Sequence, residues 1–294
     1  MKIIKTILSE DKKTVKFLQQ TFYNHSIETS YFDLDENIIC VSTQIGCPVG
    51  CIFCATASCV GNDGLKRSLI RNLTTQEIVK QVENILNYIN QTKTKSKPVL
   101  LSYMGMGEPF LNYDNVVGSI KVLAAKYRTI KRATIATSGV FPAGIKALAN
   151  ESFDIKVNVH LSLHAPNNEL RKQIMPKTSS INLALDAMRY FVEVKGGPVK
   201  INYILIKGVN DSNKNLYELA RLLFNYRNDF IIKLTVLNEV NGCRPSDQER
   251  FDKFRKVLTK RGFEVVSFIG DGLDINASCG QLRRYHYDKN NLKV

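Results

Sequence analysis

The sequence predicts an α/β fold: a partial (βα)6 barrel carrying a small N-terminal β extension. Three observations carry that prediction. From about residue 98 onward, continuous apolar runs alternate with amphipathic stretches of helical period, the pattern of parallel strands covered by helices. Counting the strand ahead of a cysteine-rich loop at residues 46–56 gives six such units and a closing strand, two units short of a full eightfold barrel. The chemically distinctive residues also fall after the C-terminal ends of the strands, which is the active face of parallel α/β folds.

Each element has its own signal. Residues 14–45 hold three β-like runs separated by polar turns, Thr14–Gln20, Ile27–Leu34 and Ile38–Ile45, which read as a small sheet leading into the first core strand. Thr74-Thr75-Gln76-Glu77 is a capping box, and Ile78, Val82, Ile85, Leu86 and Ile89 then recur at helical spacing to about Asn90. Further strands are expected at Pro98–Met104, Arg132–Thr137, Ile155–Leu163, Val199–Ile206, Ile231–Leu237 and Phe263–Phe268. Helices are expected at Tyr113–Tyr127, Ala143–Asn150, Leu183–Val194, Ser212–Tyr226 and Ser246–Arg261. No low-complexity linker divides the chain. The expected boundaries are a β extension over 1–37, the barrel over 38–270, and a C-terminal loop and tail over 271–294.

Composition narrows the class. A hydrophobic fraction of 44% is that of a globular protein. No apolar run approaches the roughly 18 residues of a membrane span, and the first residues lack the apolar core of a signal peptide. Seven cysteines in a chain read as cytoplasmic point to metal or redox chemistry rather than a disulfide scaffold. Forty-one Lys and Arg against 27 Asp and Glu give a net charge of +14, which favours a polyanionic partner, RNA or DNA, over a merely basic surface. No RRM, KH or zinc-finger pattern accompanies that charge.

The densest chemistry is Gly46–Thr56, GCPVGCIFCAT, which places Cys47, Cys51 and Cys54 in C-x3-C-x2-C spacing. Thiolates are soft ligands for zinc, copper or iron–sulfur clusters, and structural sites use four. Three close thiols leave one coordination position open, the arrangement of a reacting metal centre. A [4Fe–4S] cluster with one iron free for a cofactor is the expectation. Cys40 and Cys59 flank the triplet outside ordinary ligand spacing.

Other strand ends carry smaller clusters: Gly105-Met106-Gly107-Glu108-Pro109, Thr137-Ser138-Gly139, Ser162-Leu163-His164, Lys207–Asp211 and Asn238. Singly, each has a bland reading. The first could be only a turn, His164 alone reads as a satisfied polar residue, and Ser138 and Asn238 could simply tie loops together. Cys243 reads as a surface or packed thiol, and Cys59 is unassigned. Cys279 differs, because Ala277-Ser278-Cys279-Gly280 is a small-residue segment that would present its thiol on an accessible loop.

Taken together these motifs resemble the radical S-adenosylmethionine (SAM) superfamily and, more narrowly, the RlmN/Cfr family of RNA adenine methyltransferases. The matching stretches are Cys40–Thr56, Met104–Asn112 (MGMGEPFLN), Ala136–Val140 (ATSGV), Leu161–Arg171 (LSLHAPNNELR), Ile174–Pro176, Gly208–Ser212 (GVNDS) and Asp274–Leu282 (DINASCGQL). They occur in the family's order. The triplet marks the superfamily, whereas SLHAPN with ASCGQL marks the family.

The resemblance implies a partial (βα)6 radical-SAM barrel with a [4Fe–4S] cluster on Cys47, Cys51 and Cys54. It implies SAM, two molecules per turnover, held by Gly107, Glu108, Ser138, Ser162, Leu163, His164 and Asn238. It casts Cys279 as the methyl-carrying cysteine, Cys40 as the resolving cysteine and Glu28 as proton acceptor, the last at a spacing that needs a one-residue gap. The implied reaction methylates C2 or C8 of an RNA adenine, in 23S rRNA with tRNA as a further candidate. Those carbons are electron-poor and their hydrogens are not acidic, so a radical route is required. A monomer reduced by flavodoxin or ferredoxin completes the picture.

Two departures stand out. Only about 13 residues precede the small sheet, where family members carry a helical accessory domain, so that domain is expected to be missing. Asp271 also stands where relatives tend to have Arg. Two rival readings follow: the same chemistry on a smaller RNA or a non-RNA substrate, and a non-catalytic iron–sulfur RNA-binding protein. The second leaves Cys279, GMGEP and SLH without a purpose.

Overall fold

The computed structural model describes residues 1–23, 25–58, 69–93, 97–240, 242–277 and 281. The chain opens with β1 (Lys2–Leu8), β2 (Thr14–Gln20) and β3 (Ser26–Asp33), an antiparallel meander that continues into β4 (Asn37–Cys40). After β4 the backbone leaves that sheet. Gln44–Gly46 forms β5, which pairs antiparallel with β6 (Leu69–Asn72) in a separate two-stranded sheet.

The rest alternates as expected: α1 (Thr75–Thr92), β7 (Val99–Tyr103), α2 (Tyr113–Lys126), β8 (Ile130–Thr137), α3 (Pro142–Asn150), β9 (Lys156–Ser162), α4 (Asn168–Ile174), α5 (Ile181–Lys195), β10 (Val199–Leu205), α6 (Asn213–Leu223), β11 (Phe230–Val236), α7 (Gln248–Lys260) and β12 (Val265–Phe268).

Ten strands form one sheet in the order β1-β2-β3-β4-β7-β8-β9-β10-β11-β12. From β4 to β12 every pairing is parallel. That makes six βα crossovers and a closing strand. Side chains from Ile38 on β4 round to Phe268 on β12 line one cavity of about 430 Å3, so the sheet curls into a partial barrel around it.

Local chemistry explains the helices. The side chain of Thr74 accepts from the Glu77 amide at 3.2 Å while the Glu77 carboxylate accepts from the Thr74 amide at 3.0 Å. Arg71 adds two 2.7 Å bonds to that carboxylate, tying β6 to the start of α1. Ile78, Val82 and Ile85 face the sheet and are fully buried. Each contributes roughly 1.5–3 kcal/mol of apolar transfer free energy. Among the described residues, no helix is long and apolar enough to cross a membrane.

Three expectations need correction. The run Ile38–Ile45 is two strands in two sheets, because the main chain at Val41–Thr43 turns away to approach Gly105 and Met106. The sheet begins at Lys2 rather than Thr14, since β1 registers along β2 from Lys2↔Gln20 to Leu8↔Val15. The short helix α4 was not anticipated; the Asn167 side chain caps it by accepting from the Leu170 amide at 3.0 Å.

Candidate active site

The cysteine loop starts at β5 and lies across the C-terminal ends of the parallel strands. Its seat is apolar. Val49 and Phe53 pack with Ala165, Ile174, Met175, Ile206 and Leu237, a second hydrophobic cluster separate from the main core. The amide of Ile52 donates to the Ile174 carbonyl at 3.0 Å, and the Cys243 thiol donates to the Ile52 carbonyl at 3.7 Å. Cys243 is therefore a packed thiol that backs the loop.

Cys47, Cys51 and Cys54 line a cavity of about 160 Å3 together with Gly107, Glu108, Ser138, Ser162 and His164. Burial pushes the Cys47 thiol well above its ordinary value. It does the same to Cys51, with the neighbouring Cys54 and Cys47 adding to the effect. Cys47 and Cys51, crowded beside Cys54, resist ionising alone, so a cationic cluster is what such a donor set is built to receive. Among the described residues no three His, Cys, Asp or Glu converge where one ion would sit. A cubane has no such requirement, because each cysteine binds a different iron. The residues fit the cluster.

The GMGEP turn is held by close backbone contact. A Cβ at Gly105 would meet the Val41 carbonyl oxygen at 2.5 Å, and Gly107 has φ +103 with Gln44 at 2.7 Å from a Cβ. Glu108 is buried, and its carboxylate accepts from Thr137 Oγ1 (2.7 Å), Ser138 N (2.8 Å), Ser138 Oγ (2.7 Å) and Phe110 N (3.1 Å). Burial raises its pKa, with those donors pulling the other way. The carboxylate thus braces the β7 and β8 loops together. The main chain at Gly107–Glu108 is what this turn can offer an amino group.

His164 sits at φ +55, in the left-handed region unusual for a non-glycine residue. Its Nδ1 accepts from the Ile204 amide at 3.1 Å, which leaves the ring proton on Nε2. Burial, with Arg171 nearby, lowers its pKa to about 3, so the imidazole stays neutral. Leu163 belongs to the main hydrophobic core, so only its main chain is available at the site. Asn238 lies two residues beyond β11 and is not among the residues lining the 160 Å3 cavity, where β11 contributes Lys233 and Thr235.

Sequence reasoning missed two residues that build the site. Arg171 is 1% exposed and donates to the carbonyls of Ser138 (2.5 Å), Ser162 (3.1 Å), Leu163 (3.2 Å) and Ser179 (2.8 Å). Burial lowers its pKa to about 10, which leaves it charged. Asn210 donates to the His164 and Ile204 carbonyls at 2.8 and 2.7 Å and accepts from the Ile206 amide at 2.7 Å. Both lie inside singled-out motifs, LSLHAPNNELR and GVNDS. The available signal was an arginine on the apolar side of a short helix.

Cys40 ends β4 and lines the 430 Å3 cavity beside Ala277. That cavity and the cysteine-lined one share Met104, Lys233 and Phe268 in their walls, so they adjoin across those side chains. The segment 271–277 is tied down by Ser30 Oγ donating to the Ala277 carbonyl (3.1 Å) and by Glu10 N donating to the Asp274 carboxylate (2.8 Å). Cys279 and Cys59 lie outside the described residues. Glu28 is buried in an ion pair with Lys16 at 3.1 Å. It shares the β3 face of Ser30, two residues along, but does not line either cavity.

The fold and this cysteine-lined pocket define a partial-barrel enzyme with an iron–sulfur centre at its strand ends. Comparison with known proteins agrees: the profile of the radical SAM superfamily matches residues 41–220. A probable dual-specificity RNA methyltransferase RlmN of Thermotoga maritima is 40% identical over 96% of this chain and 79% of its own length. A namesake from Prochlorococcus marinus is 38% identical over 97% and 78%. The crystal structure of a radical SAM methyltransferase from Sphaerobacter thermophilus superposes with a TM-score of 0.85 at 34% identity, over 96% of this chain and 80% of that one. The chain belongs to the RlmN family of the radical SAM superfamily. Its cofactors are a [4Fe–4S] cluster and SAM.

Proposed function

We propose that the chain methylates C2 or C8 of an adenine in RNA, 23S rRNA with tRNA as a further substrate, through a methylated-cysteine intermediate. The observation that carries this reading is that two chambers adjoin across shared side chains. One is lined by Cys47, Cys51 and Cys54, the other by Cys40 and Ala277, and Met104, Lys233 and Phe268 belong to both. When bound, the cluster and SAM supply the methyl group and the radical that an electron-poor ring carbon needs.

In this reading Cys47, Cys51 and Cys54 hold the cluster. Gly107 and Glu108, Ser138, Ser162, Leu163 and His164 bound the SAM site, and Asn238, two residues beyond β11 and off the cavity wall, joins them only by turning inward when SAM binds. The Cys279 thiolate carries the methyl group to the chamber where Cys40 waits. After the radical has taken a hydrogen atom from it, that methyl carbon bonds to the ring carbon and links protein to RNA. Cys40 then attacks the Cys279 sulfur and breaks its bond to that carbon, releasing the methylated base, a Cys40–Cys279 disulfide and one electron. Glu28 accepts the proton from the ring carbon and must leave Lys16 to do so. Reduction by flavodoxin or ferredoxin, a monomeric state, a cytoplasmic location and the division at residues 37 and 270 belong to the same proposal.

Nucleoside mass spectrometry tests it directly. Anaerobically reconstituted protein, incubated with SAM, reductant and either rRNA or tRNA, should yield a C-methyladenosine. SAM cleavage with no methylated nucleoside in any RNA would overturn the RNA reading.

A further inference from the structure

The larger chamber is not an ordinary barrel interior. Its lining carries four cationic side chains, Arg132, Lys156, Lys200 and Lys233, against one carboxylate, Asp271. Arg132 is bridged to Glu36 at the rim. The others converge: Lys200 is the register partner of His160 and Lys233 that of Asn202, so all four side chains stand on the inner face of β9, β10 and β11. Lys233 also lies over the Phe268 ring, 3.7 Å from its centroid.

Two buried atoms in this group have no hydrogen-bond partner, His160 Nδ1 and Asn202 Oδ1. Leaving such atoms unpaired costs about 1–3 kcal/mol each, so a native site keeps them for a ligand. One is a ring nitrogen able to donate to an anion, the other an acceptor. Burial, then the Lys233 and Lys200 charges, lower the His160 pKa to about 3, so an approaching anion would relieve a strained positive field. The volume of about 430 Å3 falls in the range of roughly 300–1,000 Å3 typical of small-molecule pockets.

We propose that this chamber is a nucleotide phosphate subsite, in which Lys200, Lys233 and His160 take the phosphate, while Asn202 Oδ1, on the wall of the adjoining cysteine-lined cavity, accepts from a donor on the base or sugar. The pairing of an anion site with an orphan acceptor selects a nucleotide over a bare anion. The phosphate belongs either to a free nucleoside monophosphate or to an RNA nucleotide turned into the barrel. The inference deepens the proposed reaction and rests on it for the identity of the base.

Calorimetric titration of the full chain with adenosine 5′-monophosphate, adenosine and a short adenine-containing RNA provides the test. The monophosphate should bind about tenfold or more tighter than adenosine, the factor expected of charge-assisted bonds. Lys200→Met and His160→Asn should erase that difference while leaving the melting temperature near that of wild type. Should either variant fail to fold, NMR titration of His160 in the wild-type protein decides instead: its pKa must rise on adding the monophosphate. Competition by the RNA assigns the phosphate to RNA, and its absence assigns it to a free nucleotide. Equal affinity for nucleotide and nucleoside, or an unmoved His160, overturns the subsite even if RNA is methylated. Phosphate-dependent binding without RNA methylation overturns the RNA reading and leaves the subsite standing.

Discussion

Ser30 Oγ donates to the Ala277 carbonyl at 3.1 Å, and the same Ser30 is the cross-strand partner of Cys40. One hydroxyl therefore fixes the chain two residues ahead of Cys279 against β3, beside the strand that carries the second cysteine. Ser30→Ala should cost about 1 kcal/mol of stability. Its larger effect should fall on resolution. Rapid-quench analysis should show the protein–RNA adduct persisting several-fold longer than in wild type, and an unchanged adduct lifetime would separate the tether from the chemistry.

Cys40→Ala should trap that adduct outright. Without an attacking thiol there is no route to the disulfide, so denaturing gel electrophoresis should show a covalent protein–RNA species and no multiple turnover. Free turnover at the wild-type rate would remove Cys40 from the reaction.

Arg171 holds carbonyls from the β8, β9 and α4–α5 connections. Arg171→Met would leave several buried carbonyls without donors, and each such loss costs about 1–3 kcal/mol. Chemical denaturation should register a loss of roughly 3 kcal/mol or more, accompanied by weaker SAM binding because the Ser138 and Ser162 main chains lose their shared anchor.

Glu108→Gln is isosteric but chemically wrong. Ser138 N, Ser138 Oγ, Thr137 Oγ1 and Phe110 N all address the carboxylate, and a carboxamide would turn two N–H donors toward some of them. The expected destabilisation is about 2 kcal/mol, read in the denaturation midpoint, with a raised Kd for SAM.

His160 makes stability pH-dependent in a defined direction. Its folded-state pKa is about 3, below the ordinary 6.5, so above pH 6.5 the ring is neutral in both states and contributes no pH dependence. As pH falls from 6.5 towards 3, the unfolded chain takes up a proton that the folded chain refuses, and stability drops. The slope from this group is at most about 1.4 kcal/mol per pH unit. Urea unfolding of His160→Asn should show a shallower decline across that window than wild type.

The βα alternation, the six units with a closing strand, and the location of the cysteine triplet and GMGEP at strand ends were all legible along the chain. These are local signals. Apolar periodicity, the Thr74–Glu77 capping box and glycine spacing each act within a few residues of the chain. The break at Val41 was not legible, because it arises from Gly105 approaching the Val41 carbonyl 64 residues away in sequence. The work of Arg171 and Asn210 was hidden for the same reason, since their partners are main-chain carbonyls, which no side-chain pattern encodes. The triplet announced a cluster from spacing alone. That its chamber adjoins one lined by Cys40, Lys200 and Lys233 is visible only in three dimensions, because a cavity exists only once strands far apart in sequence have curled around it.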